Sequence, residues 1–248
     1  MTAEGAIFHL RRLWQQAFGD SEETLDAFFS VGFSPNRCCY ICDDGVPVSA
    51  LYWFDCDLAG YKLAYIYAVA TEKAHRSRGL ARKLMEKAHR LLMQQGYAGA
   101  ILVPGEESLF SFYEKLGYHT ATCISEFSCQ AGDTPVALTP VSPEEYAVLR
   151  RAYLPKDSVA QESATLSYLA TYARFYKGDD FLLAAAQDGD RLLVQELLGN
   201  TRAAPGILRA LNLPQGNFRA PGAGRPFAML LPLEKDCPIP TYFGLALD

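Results

Sequence analysis

Apolar residues first recur with a helical period. Within 6–18, Ile7, Leu10, Leu13, Trp14 and Phe18 fall near one face of a helix. Gly19 ends it, and Asp20 or Ser21 can cap a second helix running to about Val31, with Glu23 in a capping-box-like position. The pattern then alternates: 37–42 and 46–56 read as strands joined by the turn Asp43-Asp44-Gly45. A β-prone run from Leu63 to Ala70 leads through a polar loop into the helix-favouring sequence 82–88. A further strand is expected at 98–104, then a helix carrying Phe112 and Tyr113, Gly117 at its end, and another strand.

After Phe127 the texture changes. Gln130 to Pro135 is rich in turn residues, and a domain boundary is expected near residue 134, giving units 1–133 and 134–248. Ser142 with Pro143 opens a helix, and a second is expected over 162–176. Residues 181–187 and 191–198 form an expected hairpin about Asp188-Gly189-Asp190. A short helix at 203–211 and a strand at 226–233 complete the series. The segment from Arg219 to Arg225 is Gly-rich but precedes a strand, so it reads as a loop. The chain has 248 residues, half of them hydrophobic, enough for a core in each of two modest units. The succession of helices and strands places the chain in the α/β (α+β) class.

The most informative stretch is Arg76-Ser77-Arg78-Gly79-Leu80-Ala81, between the β-prone run and the helix. First-turn N–H groups have no partner within a helix and sit at the positive end of its dipole, so this order makes an anion site. Gly79 allows close backbone approach and Ala81 keeps the surface low. About 30 residues on comes Phe112-Tyr113-Glu114-Lys115-Leu116-Gly117-Tyr118. The spacing Arg-x-x-Gly-x-Ala after a strand, followed by this Phe-Tyr-x-Lys-x-Gly-Tyr helix end, resembles the GNAT acyltransferases over residues 1–130. Tyr118 stands where the family usually has Phe.

The resemblance implies a GNAT acyl-CoA acyltransferase fold, a mixed central sheet flanked by helices, and acetyl transfer from acetyl-CoA to a primary amine. Backbone N–H groups of Ser77, Arg78, Gly79, Leu80 and Ala81 would take the pyrophosphate, with Arg76 and Arg82 as supporting charge. Backbone groups of Tyr67, Ala68 and Val69 would pair with the pantetheine amides as an added strand does. Tyr113 would donate a proton to the leaving thiolate, or pack beside the cofactor. Glu106 stands where many members have Asn and is a candidate for the base, with Glu72, Glu107 and the Asp248 carboxylate as others. Tyr52, Trp53, Phe54, Tyr65 and Tyr67 are available to line the acceptor groove or to fill the core. The second half resembles a smaller GNAT-like unit without a cofactor loop: Gly199-Asn200-Thr201-Arg202-Ala203-Ala204 lacks the pattern.

A net charge of −5 argues against a general nucleic-acid binder. Neither a signal-peptide layout nor an apolar run near 18 residues is present in the sequence, so a cytoplasmic protein without a membrane partner is expected, as monomer or homodimer. Cys39 and Cys42 have C-x-x-C spacing, but no second pair completes a zinc site, and no metal is expected. Both read as small core residues. Two other functions stay open: acetylation of a protein N-terminus or lysine, and a noncatalytic acyl-CoA-binding or regulatory module.

Overall fold

The computed structural model describes residues 3–247. Helix α1 (Ala3–Phe18) is followed by α2 (Glu22–Ala27), with the Ser21 hydroxyl accepting from the Thr24 N–H as its cap. A π turn at Phe28–Gly32 extends that helix as far as the sequence suggests. Strands β1 (Cys38–Asp43) and β2 (Val46–Leu58) form a hairpin whose turn residues Asp44 and Gly45 both have positive φ, as a two-residue reverse turn requires. The first half of the chain continues through β3 (Tyr61–Thr71), α3 (Leu80–Gln94), β4 (Gly99–Leu102), α4 (Ser108–Glu114), β5 (His119–Thr120) and β6 (Cys123–Gln130).

The second half comprises β7 (Thr139–Val141), α5 (Pro143–Tyr153), β8 (Ala160–Gln161), α6 (Ala164–Leu169) and β9 (Arg174–Lys177). It ends with β10 (Phe181–Asp188), β11 (Arg191–Gly199), α7 (Ala204–Ala210), β12 (Gln215–Pro221), β13 (Arg225–Pro226) and β14 (Met229–Pro232). The helix expected over 162–176 is therefore cut short: Arg174-Phe175-Tyr176 pairs with β10 and buries Phe175, so tertiary pairing overrides local propensity. Part of the expected 219–225 loop is likewise strand, because β12 is a central member of the second sheet.

Both sheets are mixed. The first runs β1-β2-β3-β4-β14-β5, with β8 added against β2, and the second runs β13-β6-β12-β11-β10-β9-β7. The halves exchange strands: β14 pairs with both β4 and β5, while β6 leaves for the second sheet beside β12. Alternation along β3 buries the first sheet on two sides. Ala64 and Ile66 pack with Leu84, Met85, Ala88 and Leu92 of α3, whereas Leu63 and Tyr65 join a core shared with α6 and the tail 242–247. Each fully buried large apolar side chain contributes about 1.5–3 kcal/mol, so this shared core binds the halves together. The C-x-x-C pair divides: Cys39 is buried but Cys42 is exposed, because the β1–β2 register shifts between Ile41 and Cys42. Among the described residues no helix is long and apolar enough to cross a membrane.

Candidate donor site

The site begins with an irregularity in β3. Ala50 faces Ala70 and Tyr52 faces Tyr67, so Leu51 lies opposite two residues, Ala68 and Val69. Ala68 takes the extra turn with φ +49°, a strained value for a residue with a Cβ. On its other side β3 pairs in parallel with β4 only from Leu63 to Tyr65 against Gly99 to Ile101. The two strands part just before the bulge. A bulge that ends pairing leaves backbone N–H and C=O groups directed into the gap, where an extended amide chain can use them.

Beyond Thr71 the chain makes one short turn, Lys73–His75, and enters α3. Arg76 Nε donates to the Thr71 carbonyl at 3.1 Å, closing the base of the loop. His75 holds the other side: Nδ1 lies 2.7 Å from Glu72 and Nε2 3.0 Å from Asp43 in the β1–β2 turn. Ser77 and Gly79 both have positive φ, +62° and +72°. Gly79 is the N-cap of α3 and supplies no side-chain acceptor, and the first helical bond runs from the Lys83 N–H to the Gly79 carbonyl. The N–H groups of Leu80, Ala81 and Arg82 thus precede any intrahelical acceptor. A Cβ added at Gly79 would meet nothing within 4 Å, so the glycine opens onto free space.

That space is a cavity of about 450 Å³. Of the sequence-identified residues, Val69, Arg76, Ser77, Gly79, Leu80, Ala81 and Arg82 line it. Tyr67 and Ala68 lie next along β3, half-buried, and Arg78 is exposed between lining neighbours. The donor set suits a diphosphate: helix-terminal N–H groups and the Arg76 and Arg82 side chains face one opening. Ala17, Phe18 and Phe112 also line the cavity and were missed by sequence reasoning. Phe18 is 47% exposed, although its position on the apolar face of α1 suggested core.

Other candidates lie elsewhere. Tyr113, beside Phe112 on α4, is buried, and its ring meets those of Phe112 and Tyr118 at 5.1 and 5.7 Å. Burial alone pushes its phenol up to about 12. Glu106 is exposed before α4, accepts the Ser108 hydroxyl at 3.2 Å and does not line the cavity. Glu107 is exposed at the start of α4, Glu72 is half-buried on His75, and Asp248 lies outside the described residues. Tyr52, Trp53, Phe54 and Tyr65 are core; Trp53 points to the opposite face and donates to the Tyr97 hydroxyl. Tyr67 is the one of the five that remains partly open.

Residues 2–121 match the family described as Acetyltransferase (GNAT) domain. These residues form a GNAT domain. The domain carries the bulged strand, the loop and α3, and the family description brings acyl transfer with it. Among curated proteins no sequence matches the chain. Solved structures share the fold over nearly all of it. The GCN5-related N-acetyltransferase from Kribbella flavida superposes with TM-score 0.70 at 17% identity, covering 94% of this chain and 71% of that one. The corresponding protein from Anabaena variabilis gives 0.71 at 15%, with the same coverage. A tandem GNAT protein from the clavulanic acid biosynthesis pathway gives 0.56 at 12%, covering 95% and 97%. The fold of this chain is thus similar over nearly its whole length to that of a tandem GNAT protein.

Proposed function

We propose that the chain is an acetyl-CoA-dependent N-acyltransferase acting on a primary amine of a small molecule, with its donor site in residues 1–133. The observation that carries this reading is the coincidence of three features at one opening. They are the bulge at Ala68, the separation of β3 from β4, and the uncapped start of α3 behind Gly79. Bound acetyl-CoA would supply a thioester-activated acetyl group. Leu80, Ala81 and Arg82 N–H groups hold the diphosphate, Arg76 and Arg82 add charge, and the backbone of Tyr67 to Val69 aligns the pantetheine amides.

In this proposal Tyr113 keeps its proton through the neutral range and donates it as the thiolate leaves. Its burial among Phe112, Tyr118 and Leu102 keeps water from competing for that transfer. Glu106, exposed and free to exchange with solvent, takes the amine proton through water. Residues 134–248 serve as a partner unit without a donor loop: the β11–α7 connection brings Pro205 into the first turn of α7, removing one N–H that a phosphate would need.

The decisive experiment is release of free CoA from acetyl-CoA across a panel of small amines, beside acetyl-CoA binding measured by calorimetry. Amine-dependent release is expected. Tight donor binding with no release for any amine would instead favour a binding module.

A further inference from the structure

Beside the donor cavity, residues from both halves of the chain meet in a partly open aromatic cluster. Trp14 of α1 lies 5.5 Å from the Tyr67 ring, Tyr67 lies 6.2 Å from Tyr168 of α6, and Tyr168 lies 5.8 Å from Tyr172. Gly19, at φ +75°, turns the chain back so that Asp20 Oδ2 accepts the Trp14 Nε1–H at 2.7 Å. The same carboxylate acts electrostatically on Tyr168. Trp14 and Tyr168 are buried, whereas Tyr172 is 39% exposed and Tyr67 and Asp20 are half-buried, so solvent reaches the cluster at these last three. Its position is fixed by sequence neighbours: Val69 and Phe18, each two residues away from a member, both line the donor cavity.

A carboxylate beside aromatic faces attracts a cation, since the ring quadrupole and the charge act in the same sense. Among the described residues Asp20 has no Lys or Arg ion-pair partner, and the nearby Arg11 pairs with Glu22 and Asp26 instead. The amine that attacks a thioester must be neutral, so a cation held here is a second charged group on the acceptor.

We propose that Asp20, Tyr67 and Tyr172, backed by the buried Trp14 and Tyr168, form an acceptor subsite for a cationic group, so that the preferred substrates are diamines or polyamines. This rests on the acyltransferase reading above. It also gives the second half a role, since α6 and the turn after it bring Tyr168 and Tyr172 to the acceptor of a site whose donor loop lies in the first half.

The test compares 1,5-diaminopentane with pentylamine, which differ only in the second ammonium, using the full chain. Turnover is read as CoA release, and equilibrium binding of each amine by calorimetry. The diamine is expected to exceed the monoamine at least tenfold in kcat/KM and in affinity at low salt. Asp20→Asn keeps an oxygen for the Trp14 N–H and should remove most of that advantage while leaving pentylamine unchanged. Tyr172→Leu should reduce it several-fold. Equal handling of the two amines, or an advantage that survives Asp20→Asn, overturns the subsite. Should CoA release fail for every amine, binding still decides: diamine affinity that depends on Asp20 upholds the subsite, and its absence overturns it. The acyltransferase reading falls on the release assay alone.

Discussion

Arg150 and Glu196, both fully buried, meet side-on, with Nε 2.6 Å from Oε2 and Nη2 2.9 Å from Oε1. Burial works against the arginine's charge, but Glu196 outweighs it and holds the guanidinium above its ordinary range. The hydroxyls of Tyr146 and Tyr242 also donate to Glu196, at 2.8 and 3.1 Å, so the carboxylate's oxygens are well satisfied. Gln161 bridges Arg150 to both backbone groups of Leu245, and the Leu247 N–H reaches the Tyr65 hydroxyl on β3. The pair therefore fastens the tail, and through it one half of the chain to the other.

Removing one member leaves the other charge buried and unpaired, which costs about 3–5 kcal/mol. Arg150→Met should destabilise by that amount in urea unfolding. Gly244→Ala should act in the same direction, because a Cβ there would strike Glu196 Oε1 and the Tyr242 hydroxyl. A loss below about 1 kcal/mol for Arg150→Met would show that the network has little weight.

His89 gives stability a pH dependence. It is buried on α3 with Nε2 2.9 Å from the Tyr118 hydroxyl, and burial, aided by Arg90, depresses its pKa to about 4. The unfolded chain binds a proton near 6.5, so between about pH 6.5 and 4 it holds more protons than the folded one. Stability is therefore complete above 6.5 and falls as pH drops through that window, by on the order of 2–3 kcal/mol. Urea unfolding at pH 7.0 and 4.5 should show the loss, and His89→Gln should remove most of its slope.

Local signals made the first half of the chain legible. The Asp44-Gly45 turn, the breaker residues around Gly79 and the periodic face of α3 each encode their own geometry, and seven of the ten expected donor-site residues line the cavity. Nonlocal pairing was not legible. Residues 229–232 read as a strand, yet nothing in them states that they insert between β4 and β5. Gly216 and Pro221 hid β12, although Gly216 is small because Leu208 and Phe218 crowd it. Phe112 and Tyr113 show a subtler limit. Their spacing marked α4, but only the packing decides that Phe112 lines the cavity while Tyr113 is buried beside it.

At the loop, Gly79→Asp combines a φ of +72° with a negative charge at the helix start. The αL conformation costs a residue with a Cβ about 1–2 kcal/mol, and the charge opposes a diphosphate directly. Acetyl-CoA affinity should fall at least tenfold by calorimetry, while circular dichroism stays unchanged because the new side chain meets open space. Gly79→Ala should show a smaller loss. Unaltered affinity in Gly79→Asp would remove the loop from the donor site.

Tyr113→Phe tests the proton donor. The ring stays, so packing with Phe112 and Tyr118 is retained, and only the hydroxyl is lost. General-acid assistance is typically worth about 10²–10⁴ in rate, so kcat should drop by roughly 10² or more with acetyl-CoA affinity unchanged. The pH profile supplies a second reading. With its pKa raised to about 12, Tyr113 is protonated, and competent as a donor, at every pH below that value. Its deprotonation therefore predicts no fall of kcat on the alkaline side up to pH 10, whereas an unperturbed phenol near ~10 would already be half-ionised there. A Phe variant with full kcat would reduce Tyr113 to a packing residue.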